Sequence, residues 1–589
     1  MSDKMQNDLL RHKAVGAILG AAYGDALGWP NEFINKNLSQ NKEAEITLNL
    51  TSWTRRSGER YYPFEERINK GSYSDDTQLI LAVARSLLSG INWFGQWSEV
   101  ELPLWTLYAR GGGGATKRAA DACLDGYLPW IKPSSDELKR YFNAGGNGVA
   151  MRVLPHAIFH KDSKSFEEVA ESIFLDGIVT HGHPRALLGA LAYGYALWRA
   201  LHAPIDLGYG QIIQEMLDGR DIWLKLPTLN EKYAQWIEIA NKHNENDYLR
   251  LWRDVGNESI SLIERCKAEI DKGALAVDDK LLSDVGAVKS KFTGAGTVSM
   301  AVAIYFASRY AIDPLHGIVK PAFAGGTDTD TIASMTGGLL GLIAGDLWLS
   351  NIRKDIQDAD YLGSVAEALL LKNERKEQNI SHIPVRRRTI MELRGYIFKE
   401  TGGSKIAMPD KRVGTVEVLP DQYSKNDRYR VQLRKISFED GQSIFLHKIT
   451  REKFSSFKVQ GKDKIIVKSI NTNVFLGIKS GIKIPVKSLS GSKAFYRDLI
   501  GLHVIQSSQD IVVFEEKVVL VQSKYLSNLT PNMSTCSILY FEVNDLEKYF
   551  TKLKTANKKI ITMITKDEGT GHPFFRVIDP DGNIIEISQ

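Results

Sequence analysis

The stretch FAGGTDTDTIASMTGG, residues 323–338, alternates Thr327, Asp328, Thr329, Asp330 and Thr331 at the mouth of an otherwise apolar helical segment. A second stretch, GSYSDDTQLILAVARSLL, sets Ser74, Asp75, Asp76 and Thr77 before another apolar-periodic run. Hydroxyls and carboxylates at such places cap helices, because they accept from free N–H groups and complement the dipole. Two such mouths in one domain offer a further chemistry. Ser74, Asp75, Asp76, Asp328, Asp330 and Thr331 together supply six oxygen donors carrying four formal negative charges. Four carboxylates brought side by side do not all stay ionised without cations. Two divalent ions would neutralise them, and all-oxygen ligation selects Mg2+, Mn2+ or Ca2+ over zinc.

The elements that must position these residues read as helices. Apolar residues recur at three- and four-residue spacings from Leu9 to about Leu371, as in TQLILAVARSLL and PRALLGALAYGYALWRAL. Glycines at 16, 20 and 24, and again at 337, 341 and 345, predict small faces on closely packed, buried helices. The two apolar runs that hold them contain Asp25 and Asp346 and fall short of the roughly 20 apolar residues a membrane span needs. No membrane association is expected.

Within the helical span, residues 204–290 turn charged and read as an insertion or a lid-like subdomain. A polar linker follows over 372–390, and the apolar period then changes to two. Residues 391–477 read as a small basic β-rich region, with RYRVQLRKISF, QSIFLHKI and KIIVKSI as strands. Residues 478–589 write a βαβββ pattern twice, an internal repeat that specifies an α+β domain. The fold class is therefore multidomain: an all-α bundle, a small β-rich region and a repeated α+β unit.

Length, at 589 residues, calls for several domains, and 43% hydrophobic with 25% charged residues is the profile of globular protein. Cys123, Cys266 and Cys536 lie far apart with no CxxC pair, and the N-terminus lacks an apolar signal core, so a cytoplasmic protein is expected. The net charge of +5 is uneven: residues 381–470 hold 20 Lys and Arg against 10 Asp and Glu. That bias fits a solvated basic face, and it also keeps a nucleic-acid partner in view.

Six motifs in order resemble the ADP-ribosylglycohydrolase family, which includes dinitrogenase-reductase-activating glycohydrolases and ADP-ribosyl-arginine and ADP-ribosyl-serine hydrolases. They are GAILGAAYGDALGWPNEF, GSYSDDTQ, AGGNGVAMRVLP, THGHPRALLGALAYGYAL, FTGAGTVSMAVAIYFAS and GGTDTDTIASMTGGLLGLIAG, within residues 9–371. The resemblance implies an all-α bundle with a binuclear Mg2+ centre (Mn2+ as the alternative), ligated by Ser74, Asp75, Asp76, Asp328, Asp330 and Thr331. It implies that Asn147, in the loop Gly145, Gly146, Asn147, Gly148, holds ADP-ribose, and that His181 lines the nucleotide side. Gly294 and Gly296 would admit the backbone to the ribose and diphosphate, and Glu32 matches a glutamate that contributes to the site. Glu32 or a metal aspartate such as Asp328 is left as the general base.

The implied activity is hydrolysis of the bond between ADP-ribose and a modified acceptor, with arginine favoured because a protonated guanidine leaves readily. Serine and nucleic acid are the alternative acceptors. A non-catalytic ADP-ribose-binding or toxin-neutralising protein is the rival reading. Residues 478–589 resemble the vicinal oxygen chelate fold of glyoxalases and bleomycin-resistance proteins. Glu586 and Gln522 match ligand positions of that fold, whereas Gly481 stands where a histidine is expected and Ser537 near another ligand position. That pattern implies a binding or docking module.

Overall fold

The computed structural model describes residues 3–32, 48–58, 64–371 (except 91, 132–133, 204–206, 229–230, 245–246 and 289) and 382–451 (except 424–428). Beyond these it describes 482–486, 488–500, 502–507, 511–514, 518–522, 539–542, 545–556, 560–566, 573–578 and 584–588. The expected strand KIIVKSI, Cys536, Gly481 and Ser537 lie outside the described residues. Two compact units divide the chain, Met1–Ser456 and Phe457–Gln589.

The first unit is built around a pair of helices, α1 (Asp3–Gly28) and α6 (Thr329–Ala344), which make the most extensive helix contact of the molecule. Their glycines face each other. A methyl group on Gly16, Gly20 or Gly24 would overlap the backbone of Gly345, Gly337 or Ala333 respectively. The two backbones therefore touch with no layer of side chains between them. Around this seam stand α2 (Asp75–Leu88), α3 (Pro184–His202), α4 (Tyr248–Ile270) and α5 (Gly296–Arg309), sharing one continuous apolar core. The two segments read as helical from their spacing, TQLILAVARSLL and PRALLGALAYGYALWRAL, are α2 and α3.

The stretch 204–290 supplies α4 and four shorter helices, and its Tyr233, Trp236, Tyr248 and Trp252 are buried in that same core. Glu258 of α4 forms a bidentate pair with Arg185 of α3, at 2.7 Å for the shortest contact, and accepts from Thr297 of α5. These residues pack as part of the bundle wall and not as a separate lid.

A short hairpin, β1 (Trp53–Ser57) with β2 (Phe64–Ile68), lies beside a four-stranded antiparallel sheet in the order β3 (Lys405–Ala407), β4 (Val413–Tyr423), β5 (Tyr429–Phe438), β6 (Ser443–Arg451). The chain reaches the sheet through α7 (Arg387–Ile397). Val385 is fully buried against Val100 and Leu124, and Arg387 pairs with Asp125 at 2.9 Å. The sheet is bonded to the helices: Arg85 of α2 holds Glu101 and also donates to Gln442, and Ser443 N–H donates to Asp358.

The second unit carries the repeat. Its strands form two sheets of four, β7 (Ile482–Val486), β10 (Val518–Gln522), β9 (Ile511–Phe514), β8 (Val504–Ser507) and β11 (Leu539–Glu542), β14 (Ile584–Ser588), β13 (Pro573–Ile578), β12 (Thr565–Lys566). In each half the first strand runs parallel to the last, and a helix follows the first strand. Among the described helices none is long and apolar enough to cross a membrane.

Candidate active site

The two aspartate mouths meet. Ser74 is the N-cap of α2, with its Oγ accepting from Asp76 N–H at 3.3 Å. Thr331, in the first turn of α6, donates through Oγ1 to Asp76 Oδ2 at 3.2 Å, across 255 residues of chain. Asp328 holds the N-cap position of α6, yet its carboxylate makes no capping bond; Oδ2 accepts the Asn147 side-chain amide at 2.8 Å. Capping therefore accounts for Ser74 and leaves Asp328 unexplained.

The carboxylates act on one another. Burial, then repulsion from Asp25, pushes Asp75 up to about 7. Asp76 is pushed well above the usual carboxylate range by burial and by Asp25, Asp75 and Asp328. Asp330 is pushed likewise by burial, Asp328, Asp76 and Glu32. Glu32 sits at the end of the 3-10 turn after α1 and rises to about 8, through burial and through Asp328 and Asp75. Asp76 Oδ1 is buried and has no hydrogen-bond partner. Gly111 lies so close, at φ +132°, that a methyl group on it would overlap the Asp75 carboxylate.

The glycine loop is stitched to the start of α5. Asn147 N–H donates to Gly294 O at 3.0 Å, and Gly296 N–H donates to Gly145 O at 3.0 Å. A bridge joins Gly146 to Ala295. Gly294 has φ +78°, and a Cβ there would stand 3.3 Å from Asp328 Oδ2. Gly296 is instead a packing glycine, pressed on the backbone of Arg185 and Ala186. The loop thus brings Asn147 and Gly294 to the second aspartate motif, while Gly145 and Gly148 turn toward His183 and His181.

Over residues 6–379 the chain matches the ADP-ribosylglycohydrolase family, well over half its length. The chain belongs to that family. It matches the glyoxalase-like domain over residues 480–589. An uncharacterized protein of Archaeoglobus fulgidus is 25% identical over 368 residues, covering 61% of this chain and 96% of that one. The ADP-ribosyl-(dinitrogen reductase) glycohydrolase of Rhodospirillum rubrum is 26% identical over 210 residues, covering 32% of this chain and 58% of that protein. The match therefore spans less than two thirds of the bacterial enzyme. Family membership makes the chain a glycohydrolase of ADP-ribose linkages.

ADP-ribosylglycohydrolases in general depend on divalent metal. Among the described residues no three His, Cys, Asp or Glu side chains close into a metal cage. Two of the six donors here are hydroxyls, and the mutual repulsion of the acids is only partly offset, by Lys117 acting on Asp75 and Arg55 on Glu32. The donor set still fits hard cations: it is all oxygen, and the orphaned Asp76 Oδ1 is a buried acceptor that lacks a donor or an ion.

The remaining site residues have different surroundings. His181 is buried behind Gly148, bonded through Nδ1 to Thr180 Oγ1 at 2.7 Å. Burial and the Arg152 guanidinium push it down to about 3, so the ring stays neutral. We expect His181→Gln to keep both limbs of the pH–rate profile between pH 5 and 8; a limb lost on substitution would show that His181 titrates in turnover. In the glyoxalase-like unit Glu586 is taken up by Arg576 on the neighbouring strand, at 2.7 Å. Gln522 lies at the end of β10.

Sequence reasoning passed over Asp25. Fully buried on α1, it accepts from Ser74 N–H (2.9 Å), Thr77 N–H (3.0 Å) and Thr77 Oγ1 (2.6 Å), and so holds the first turn of α2. The signal was present: an acid inside a run of glycine, alanine and leucine needs partners when buried.

Proposed function

We propose that this chain hydrolyses the glycosidic bond between ADP-ribose and a modified acceptor at the meeting of α2 and α6, with arginine-linked ADP-ribose as the first substrate. The observation that carries the reading is the contact of Thr331 with Asp76 beside an unpartnered Asp76 Oδ1, within a cluster of mutually repelling buried acids. A pure binder of ADP-ribose, itself an anion, gains nothing from such a cluster.

Ser74, Asp75, Asp76, Asp328, Asp330 and Thr331 would hold two Mg2+ or Mn2+ ions. When bound, such ions neutralise the carboxylates, orient the ribose hydroxyls and polarise the attacking water. Asn147 fixes Asp328, and Asp25 fixes the turn that carries Asp75 and Asp76. Glu32 is the base: its carboxylate takes the proton of the water that attacks ribose C1″. Neutralising Asp328 and Asp75 removes two of the causes that raise Glu32, returning it toward the ordinary carboxylate range. The C–O bond forms as the C–N bond to the guanidinium breaks; the guanidine leaves with the bonding pair and takes up the proton that Glu32 drew from the water.

The test is release of free ADP-ribose from an arginine-linked substrate, with Mg2+, with chelator, and with Asp328→Asn/Asp330→Asn. Release that needs Mg2+ and disappears in the folded double variant is the expected result. Release unchanged by chelator would remove the metal from the reading. Turnover of serine-linked and not arginine-linked substrate would replace the acceptor.

A further inference from the structure

Between the β1–β2 hairpin, the segment Thr106–Gly111 and the β4–β6 strands lies a cleft of about 860 Å3, entirely within the Met1–Ser456 unit. Among the described residues eight arginines and lysines line it, against Glu66 as the one acid. They come from both walls and include Arg55 and Arg56 on the hairpin, Arg110 on the bundle, and Arg394, Arg434 and Lys448 beside or on the sheet.

These cations are poorly compensated. Arg110 is only 6% exposed, yet its Nε and Nη1 have no hydrogen-bond partner. Its guanidinium stacks 4.1 Å from the Phe445 ring centre, and its nearest acid oxygen, on Glu66, is 3.9 Å away. Glu66 is already engaged, accepting from Ser57 Oγ at 2.6 Å. Arg434 is 5% exposed with Nε unpartnered. Among the described residues Arg55, Arg56, Lys117 and Lys448 form no direct ion pair, Lys117 and Arg55 acting on Asp75 and Glu32 only through space. Buried guanidinium donors left unpaired are costly, and an anion seated among them removes that cost.

At Gly111 the cleft comes up beside the carboxylate cluster. Gly111 is part of its lining and presses on the Asp75 carboxylate, and Arg55 acts on Glu32, opposing its upward shift. The hairpin wall comes from the family-matched span, whereas Arg394, Arg434 and Lys448 lie beyond residue 379, where that match ends.

We propose that this cleft binds a single strand of nucleic acid, its phosphates paired with Arg110, Arg434 and the cations of the two walls, and its path leading to the acids at Asp75. A strand carries one negative charge per nucleotide and so matches cations spaced along two walls; a peptide with one modified side chain carries no such run. That a bound strand can itself carry the ADP-ribose to be removed rests on the hydrolase reading, whereas the binding does not.

The experiment measures fluorescence anisotropy of a short fluorescein-labelled single-stranded DNA of mixed sequence, titrated with the full chain at several salt concentrations. Binding should weaken steeply with salt, and Arg56→Glu/Lys448→Glu should weaken it at least about tenfold and flatten the salt slope, with the thermal midpoint held. The Asp328→Asn/Asp330→Asn protein should still bind, which separates this site from hydrolysis. Absence of salt-dependent binding, or binding indifferent to the charge reversal, overturns the proposal. So does tighter binding of a multiply phosphorylated peptide, which would assign the cleft to a phosphoprotein.

Discussion

Asp76→Asn is expected to abolish ADP-ribose release while making the metal-free protein more stable. The two effects have one cause. Asp76 Oδ2 already has Thr331 Oγ1 as donor, a role an amide oxygen fills equally well. The amide NH2 then falls where Oδ1 now lies buried and unpartnered, facing acids instead of a donor. One repelling charge is lost and no hydrogen bond with it. If the four carboxylates hold divalent ions as proposed, each worth several kcal/mol at the transition state, removing one should lower kcat/KM by about 10^3 or more.

The pH dependence gives an independent check, and its sign follows from proton binding. Asp75 keeps its proton up to about pH 7 in the native chain, whereas an unfolded chain releases it near pH 4. The native state binds more protons across that window, so metal-free stability falls as pH rises through it. Glu32, raised to about 8, extends the fall upward. Mg2+ should raise the thermal midpoint at pH 8 and leave it nearly unchanged at pH 5, where Asp75 and Glu32 hold their protons. Asp76→Asn should flatten the metal-free fall. A variant less stable than the unmodified protein in chelator would sink this account.

Asp25→Asn should do the reverse, and lose stability even though it also removes a buried negative charge. Its carboxylate accepts three bonds, two of them from backbone N–H groups, within 3.0 Å. An amide supplies one acceptor and turns a donor toward a donor. Hydrogen bonds to charged groups are worth about 1.5–3 kcal/mol each, and an unmet buried donor costs about 1–3 kcal/mol. Relief of repulsion at Asp75 and Asp76 acts over longer distances and offsets only part. We expect a net loss of about 2–4 kcal/mol in chemical denaturation, with weaker Mg2+ binding and a lower kcat as the first turn of α2 shifts. Thr77→Val, which removes one of the three bonds, should cost less. Equal behaviour of Asp25→Asn and Asp76→Asn would show that both serve the same purpose.

Much of this was legible in the sequence, for reasons that differ by element. The helices of the first unit follow from apolar spacing, and the facing glycines at 16, 20 and 24 follow from their own period of four. The two aspartate motifs were visible because hydroxyl–acid runs at helix mouths exceed what capping needs. Asp25 was read only as an interruption of an apolar run, since nothing local tells which donors a buried acid will meet. Arg110 and Gly111 lie in a glycine-rich segment that satisfies no phosphate-loop pattern; their roles depend on Asp75 and Phe445, distant in sequence. The basic bias of 381–470 was countable, but that Arg394, Arg434 and Lys448 meet the hairpin across one cleft is a property of tertiary packing. So is the place of residues 204–290, whose charge suggested solvent while their tryptophans and tyrosines fill the core.

The glycine seam has a consequence for how such a chain can change over generations. Asp25 ends one partner of the seam and Asp330 begins the other, so their separation is set by two backbones in direct touch. Any side chain added at Gly16, Gly20 or Gly24 wedges the helices and moves both acids together; no neighbouring substitution can shrink to compensate, because the neighbour is backbone. The seam is therefore a place where drift is nearly forbidden. The far walls, built from ordinary side chains, can exchange residues freely or gain an added sheet, as this chain has, while the spacing of its acids stays the same.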